Sequence, residues 1–370
     1  GLRLKGNSSL RGLTTETAEN PEALPWLIRL DKFVDDQAHQ GVNDIVIRSN
    51  STDSAMNEAV ALELLGETGL ATEAAVSTSF TVNDGTSELR LAIENPDKVW
   101  DAANFDTDGL LYKADSEGDY SYRGDDAASY EDVFDQEVGD DDLEPLTDFL
   151  QFINESDDET FAAELGEWLD VDSFATYLAF QDLIGNFDDI DGPGNNSYLR
   201  YDLEAEQFTV VNWDLNLAFN TANVGGGGGG AAGGGGGRPG GPPIGGAVPD
   251  GAPVADGEVP EGAPVAQGER PAGAPAGAAG GADAADAPGG GAGGRSNGNI
   301  LSQRFLADDD FSRMYDEATA ELTEVLFTDG TAEQILANWV TTLQSDAGDL
   351  IDEATVEADA SAIREQFPTS

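Results

Sequence analysis

The chain of 370 residues contains no cysteine and only one histidine, His39. Without thiols, disulfide bonds, thiolate metal sites and a cysteine nucleophile are all excluded. A single imidazole cannot build a zinc site with several histidine ligands, and a Ser-His-Asp triad would depend on His39 alone. Because His39 lies in a polar stretch, we predict a solvated loop residue there. The sequence also lacks an apolar run near the roughly 20 residues that a membrane-spanning helix requires.

Basic residues are scarce: 17 lysines and arginines stand against 72 acidic residues, which gives a formal net charge of −55. Such a surface repels nucleic-acid phosphates and anionic lipid, so we expect neither as a partner. It also repels itself at ordinary ionic strength, whereas molar salt shortens the Debye length to about 3 Å. Because the acids are spread through the whole sequence, the composition favours a salt-adapted, halophilic protein over an acidic protein from an ordinary cell.

Glycine and proline are concentrated in residues 225–294, which hold 28 of the 46 glycines and 10 of the 16 prolines. Few side chains there could offset the entropy lost on ordering the backbone. We predict a disordered low-complexity insertion that separates a first folded part, 1–224, from the C-terminal helices of the same domain, 295–370. A phosphate-binding loop needs only a few glycines between a strand and a helix, so 225–294 is better interpreted as a tether.

Apolar patterning predicts an α+β fold with a strand-rich N-terminal lobe, up to about residue 114, and a helix-rich second half. The predicted strands are 2–5, 26–30, 44–48, 74–82, 88–93, 110–113, 198–201 and 208–213. The predicted helices are 54–67, 143–154, 158–169, 173–184 (capped by Asp172), 311–327, 332–345 and 360–367. The acidic stretch 115–142 is predicted to be a long loop.

The densest group of polar residues surrounds the predicted hairpin 198–213. Asp188, Asp191 and Asn196 precede it, and Asp214 and Asn216 follow its second strand. We expect the hairpin to bring Asp188 or Asp191 within reach of Asn196 and Asp214, and such oxygen ligands suit Mg²⁺. Protein kinases use an Asp, an Asn and a second Asp in this order to orient a hydroxyl and hold metal ions. Asp191 and Asn196 are five positions apart, as in the kinase catalytic loop.

Two other interpretations of the acidic loops stay open. The sequence of residues 191–196, Asp-Gly-Pro-Gly-Asn-Asn, is typical of a turn in which Asp only bonds its own backbone. Asn104, Asp106, Asp108 and Asp115 fit part of an EF-hand calcium loop, although the flanks do not predict two helices.

Several blocks, in order along the chain, resemble the CotH kinases, a family named after a bacterial spore-coat protein. The blocks are LRLKGNSS at 2–9, Arg48 with DSAMNE at 53–58, DGLLYK at 108–113, NFD at 186–188 with NSYL at 196–199, WDLN at 213–216, and NIL at 299–301 with RFL at 304–306. They span essentially the whole predicted globular body, and several blocks in order are far more specific than any one of them.

The resemblance implies an atypical protein-kinase-like fold that uses ATP and Mg²⁺ or Mn²⁺ to phosphorylate Ser or Thr hydroxyls of partner proteins. Carried over to this sequence, Asp214 and Asn196 would bind the metal, with Asn216 beside them. The Asp that orients the acceptor hydroxyl would be Asp188, which fits the Asn-x-Asp block, or Asp191, which fits the five-residue gap.

For the nucleotide phosphates, the resemblance suggests Lys5 with Asn7 and Ser8 in the turn that follows it, and Lys113 as a further candidate. The alternative interpretation is that both lysines are ordinary strand residues without a role in binding.

Two positions depart from the family pattern. Asn216 stands where many relatives have Asp, and Trp26 follows Pro25 where many have Lys. An Asn carbonyl oxygen still coordinates Mg²⁺, and Arg29 or Lys32 would be a substitute phosphate contact. The alternative functions are therefore a non-catalytic, pseudokinase-like coat or surface scaffold and a calcium-stabilised extracellular protein. Because the chain starts at Gly1 we expect a processed or trimmed fragment, and because the family is commonly exported we expect an exported or surface-associated protein, with the cytoplasm as the alternative.

Overall fold

A computed structural model describes residues 1–6, 19–115, 119–191, 196–220 and 299–368. One compact unit combines Gly1–Gly228 with Gly293–Ser370, and every contact below lies within it. In the described ranges, no helix has both the length and the apolarity needed to cross a bilayer. The predicted insertion, 225–294, falls outside the described residues, so its disorder and its boundaries remain predictions.

The first sheet is antiparallel, with strand order β1-β2-β3-β5-β4. Its strands are β1 (Leu2–Leu4), β2 (Trp26–Arg29), β3 (Asp44–Ile47), β4 (Ala75–Phe80) and β5 (Glu88–Glu94). All five were predicted within a few residues, because their apolar residues alternate or run together between turn signals. Strand β5 is buried along most of its length since β3 and β4 cover both of its edges.

The second sheet is also antiparallel, with strand order β7-β6-β8-β9. Its strands are β6 (Gly109–Ala114), β7 (Phe134–Val138), β8 (Ser197–Asp202) and β9 (Gln207–Asn212). The prediction of a loop over 115–142 was wrong at β7. Asp135 and Glu137 point outward from this edge strand and hide the alternation that buries Phe134.

Nine α-helices lie in the described ranges. They are α1 (Met56–Glu67), α2 (Lys98–Asn104), α3 (Glu144–Glu155), α4 (Asp158–Trp168), α5 (Val171–Leu183), α6 (Ile300–Ala307), α7 (Asp309–Leu322), α8 (Thr331–Asp346) and α9 (Glu353–Arg364). The short helices α2 and α6 were not predicted. The cap of α5 was assigned to the wrong residue: Asp170, not Asp172, accepts the Ser173 N–H at 3.0 Å, and the helix begins two residues earlier than predicted.

The EF-hand alternative for 104–115 does not hold. Asn104 ends α2 and donates its side-chain amide to the Trp100 carbonyl at 2.9 Å, and the segment continues as strand β6. An EF-hand loop lies between two helices, whereas this segment joins a helix to a strand.

Helix α1 is buried on nearly every side, because the first sheet and helices α8 and α9 enclose it. A second core lies between the second sheet and helices α3 to α7. The C-terminal segment, 299–368, contributes to both cores, for example through Phe305 in the second and Leu336 in the first. Burial of α1 includes two polar residues, Asn57 and Glu58, and both point toward the candidate site described next.

Candidate active site

Three cations from three different strand ends converge on one indole ring between the sheets. The Lys5 and Lys113 ammonium groups lie 4.8 and 5.6 Å from the centroid of the Trp213 ring, and the Arg48 guanidinium lies 5.9 Å from it. We call Lys5, Arg48 and Lys113 the cationic cluster. The ring stabilises the charges by cation–π attraction, and Trp213 itself is almost fully buried. With only 17 basic residues in the chain, this concentration of positive charge makes the cluster a candidate site for an anion.

Burial weakens the hold of both lysines on their protons. Burial, and then the charge of Lys113, lower the pKa of Lys5 to about 7. Burial also lowers the pKa of Lys113, while Glu137 acts in the opposite direction on both. The Lys5 ammonium donates to Oδ1 of Asn95. A negatively charged ligand at the cluster would therefore be held more strongly than by two exposed lysines, because burial weakens solvent screening.

Arg48 joins α1 to the segment that follows β9. Its Nε donates to Oε2 of Glu58 at 2.9 Å, and its Nη2 donates to Oδ1 of Asp214. Glu58 is 3% exposed; burial raises the pKa of its carboxyl, and Arg48 opposes that rise. A cation on a strand paired with a Glu on the following helix also occurs in active protein kinases, where a Lys takes the place of this Arg.

The pairing of Arg48 with Glu58 was not predicted from the sequence. Arg48 and Glu58 appeared there only as parts of a family block, and no role was assigned to either. A strand that ends in Arg before a helix with an early Glu is a usable local signal. The bond from Arg48 to Asp214 crosses 166 positions, so no local pattern could reveal it.

Asp214 adopts a left-handed backbone conformation, with φ of 67°, immediately after Trp213. Aspartate and asparagine tolerate this conformation better than other residues with a side chain. The side-chain amide of Asn57, on α1, donates to the backbone carbonyl oxygen of Asn216 at 2.6 Å and so fixes the backbone after Asp214. The buried polar face of α1 therefore positions the 214–216 segment, and the Asp214 side chain stays 24% exposed.

The other predicted residues lie on the loop before β8. Asn196 donates its amide to the Asp188 carbonyl oxygen at 2.8 Å, and burial raises the pKa of the Asp188 carboxyl. Since Ser197 pairs with Asn212, Asn196 and Asp214 leave the hairpin at the same end. Asp191 is held elsewhere: its Oδ1 accepts the Ser302 hydroxyl of α6 at 2.9 Å.

Two candidates, Asn7 and Ser8, lie outside the described residues. Within the described part of the chain, no group of three or more His, Asp or Glu side chains is arranged to hold a metal ion. A site built from Asp214 would therefore need amide or phosphate oxygens as further ligands, which is how Mg²⁺ is commonly bound.

A second buried carboxyl, that of Glu73, interacts electrostatically with both Arg48 and Glu58. It is 2% exposed; burial, and to a lesser degree the charge of Glu58, raise its pKa to about 8. The folded protein therefore keeps Glu73 protonated at neutral pH, whereas the unfolded chain ionises it above about pH 4.5. Stability from this group is present at low pH and is lost as pH rises toward 8.

We expect Glu73→Gln to remove this pH dependence. Relative to the variant, the wild type should lose several kcal/mol of unfolding free energy between pH 5 and pH 9, at about 1.4 kcal/mol per pH unit as an upper bound. Chemical denaturation at each pH would measure the difference, and the opposite contribution of Lys5 cancels in it. Glu67→Gln, at an exposed position of α1, is the matched control. Parallel curves for wild type and Glu73→Gln would show that Glu73 ionises normally.

Comparison with known proteins places the chain in a family. A family model described as CotH kinase protein matches residues 2–355, which include both sheets, the cationic cluster and the loops that carry Asp188 and Asp214. No curated protein matches the chain. The family match covers nearly the whole sequence and confirms the resemblance drawn from its ordered blocks. The chain is thus a member of the CotH kinase family.

Proposed function

We propose that this protein is a kinase that transfers the γ-phosphoryl group of ATP to Ser or Thr hydroxyls of partner proteins and depends on Mg²⁺ or Mn²⁺. The observation that carries the proposal is the cationic cluster over Trp213, next to the Asp214 carboxyl. Family membership supports the kinase-like character. The cluster supplies positive charge for phosphates, and Asp214 supplies a carboxylate oxygen for a metal.

Each part of the reaction has candidate residues. Lys5, Arg48 and Lys113 bind and orient the phosphates, because all three reach the same ring from different strands. Asp214 and Asn196 would hold the metal, with the side-chain carbonyl group of Asn216 as a weaker third ligand. When bound, the metal would neutralise part of the negative charge on the phosphates.

Between the two candidates for orienting the acceptor hydroxyl, we favour Asp188. Its loop is bonded directly to Asn196, whereas Asp191 accepts a hydroxyl from α6. A desolvated carboxylate also accepts a hydrogen bond from a substrate hydroxyl more strongly than a solvated one. Asp188→Asn should therefore reduce turnover more than Asp191→Asn.

The proposal is tested by thermal shift in about 2–3 M KCl, a salt concentration that screens the acidic surface. Wild type and Asp214→Asn are compared without ligand, with Mg²⁺ or Mn²⁺, and with each metal plus ATP. At 100 times its Kd, ATP stabilises the native state by about 2.7 kcal/mol, which corresponds to about 5 °C for a body of this size. We expect that shift only with metal and only in the wild type. A folded wild type without any shift would contradict the proposal.

A second candidate function is a pseudokinase-like scaffold, and Asn216 favours it. Replacing a frequent Asp with Asn removes one negative charge from the metal side of the site. Metal-dependent ATP binding without phosphotransfer would support this candidate, and Asn216→Asp would then be expected to restore turnover. Phosphotransfer by the wild type would exclude it.

A further inference from the structure

Three buried amide side chains connect the two segments that carry the candidate catalytic aspartates. Asn186 Nδ2 donates to Gln181 Oε1 at 2.9 Å, and Gln181 Nε2 donates to Asn212 Oδ1 at 2.8 Å. We call Asn186, Gln181 and Asn212 the amide relay. Asn186 precedes Asp188 by two residues, and Asn212 precedes Asp214 by two, so the relay spans the distance between them.

The relay is almost completely shielded from water. Gln181 is 1%, Asn212 2% and Asn186 4% exposed. In the described part of the chain, Asn186 Oδ1 and Asn212 Nδ2 have no hydrogen-bond partner, whereas Gln181 uses both ends of its amide. Leaving buried polar atoms unpaired costs stability. Apolar side chains would avoid that cost, so stability alone does not explain three amides at these positions.

The same two segments touch at a second place. The Phe219 N–H donates to the Ile184 carbonyl oxygen at 2.5 Å, just before the Asp188 loop begins. Gly185 follows with φ of +61°, and a Cβ there would lie 2.6 Å from Nδ2 of Asn220. The loop is therefore docked against the segment after Asp214 through the backbone as well as through the relay.

We infer that Gln181 is a positioning residue, which sets the distance between Asp188 and Asp214 through Asn186 and Asn212. This role rests on the proposed kinase function. Gln181 lies on α5, two residues before the helix ends, and touches neither the cationic cluster nor Trp213 in any described contact. Its loss should therefore affect the alignment of the acceptor with the phosphates and leave the binding of ATP nearly unchanged. A misplacement of about 1 Å is enough to lower a rate 10²-fold.

The test compares two substitutions of similar size. Gln181→Met fills the space but neither donates nor accepts. Gln181→Glu, which burial keeps protonated, accepts from Asn186 through its carbonyl oxygen and donates its hydroxyl hydrogen to Asn212 Oδ1, so that both bonds of the relay are kept. We expect Gln181→Met to lower kcat at least about 10-fold with KM for ATP changed less than about 3-fold, and Gln181→Glu to recover most of the loss. Asn212→Leu should reproduce the effect of Gln181→Met at the other bond of the relay, and it also serves if Gln181→Met does not fold.

Phe152→Leu controls for stability alone. Phe152 stacks on Phe161 and Trp168 in the second core and has no described contact with the relay. Assayed well below its melting temperature, this variant should keep the wild-type kcat. An active wild type together with equally active Gln181→Met and Asn212→Leu variants would overturn the positioning role alone. A wild type that neither binds ATP nor transfers phosphate would overturn the proposed function, and this role with it.

Discussion

Asp214→Asn should lower kcat/KM for phosphotransfer by at least about 10³, even though the change replaces only one oxygen with a nitrogen. Asp214 directly follows Trp213, the residue on which the cationic cluster converges. Arg48 already orients one oxygen of the Asp214 carboxylate. An amide in its place keeps one acceptor oxygen but loses the charge that attracts a divalent cation. The loss would be measured as phosphate transfer from labelled ATP to a protein substrate with few acidic residues, in molar KCl.

Asparagine is the informative substitute because of the backbone at this position. With φ of 67°, an alanine would add about 1–2 kcal/mol of strain, whereas asparagine tolerates the left-handed region. Asp172→Asn, at an exposed position of α5, removes the same charge at a residue outside the candidate site and should leave kcat/KM unchanged. If Asp214→Asn retains activity within about threefold of wild type, Asp214 is not a metal ligand.

Removing the guanidinium that links α1 to Asp214 should have a large effect on stability. We expect Arg48→Met to lower the unfolding free energy by about 3–5 kcal/mol, because breaking a buried pair leaves the remaining charge uncompensated. The Glu58 side chain is 4% exposed and cannot recover its lost partner from water. Since Glu58 can accept a proton instead, the loss should be smaller at pH 5 than at pH 8. Urea denaturation at both pH values would measure it.

Two variants show whether the pair itself is responsible. Arg313→Met removes an exposed ion pair with Asp310 and should change the unfolding free energy by less than about 1 kcal/mol. In the double variant Arg48→Met with Glu58→Gln, no buried charge is left behind on α1, so it should be more stable than Arg48→Met alone. Strictly additive losses would mean that Arg48 and Glu58 do not interact energetically.

Local patterns predicted most of the fold and part of the site. Strands with regular alternation and helices with apolar stripes appear where expected, and the hairpin 197–212 carries Asn196 and Asp214 to one end, as its position between two polar blocks suggested. Strand β7 escaped prediction because acidic residues fill its outward positions. In a chain this acidic, Asp and Glu decorate strands and loops alike, so polarity alone no longer marks a loop.

The rest of the site depends on contacts between residues far apart in sequence. Lys5 and Lys113 were candidates because of the family resemblance, but their convergence on Trp213 depends on how the two sheets meet. Trp213 is buried like a core residue and also contacts all three cations of the cluster. Nothing in the sequence indicated a role for Gln181. A buried amide on a helix that also carries polar surface residues cannot be distinguished from them by sequence alone.

The late position of the segment 299–368 has a consequence for biosynthesis. Phe305 and Leu336 complete one core each, and Ser302 bonds to Asp191, so neither core can close until the ribosome has made almost the entire chain. A nascent chain that ends at residue 220 exposes the apolar faces that this segment later covers, which makes it a natural client for chaperones. Supplied as two separate polypeptides, 1–220 and 299–370 would have to find each other by diffusion, and the stability of the pair would then rise with protein concentration.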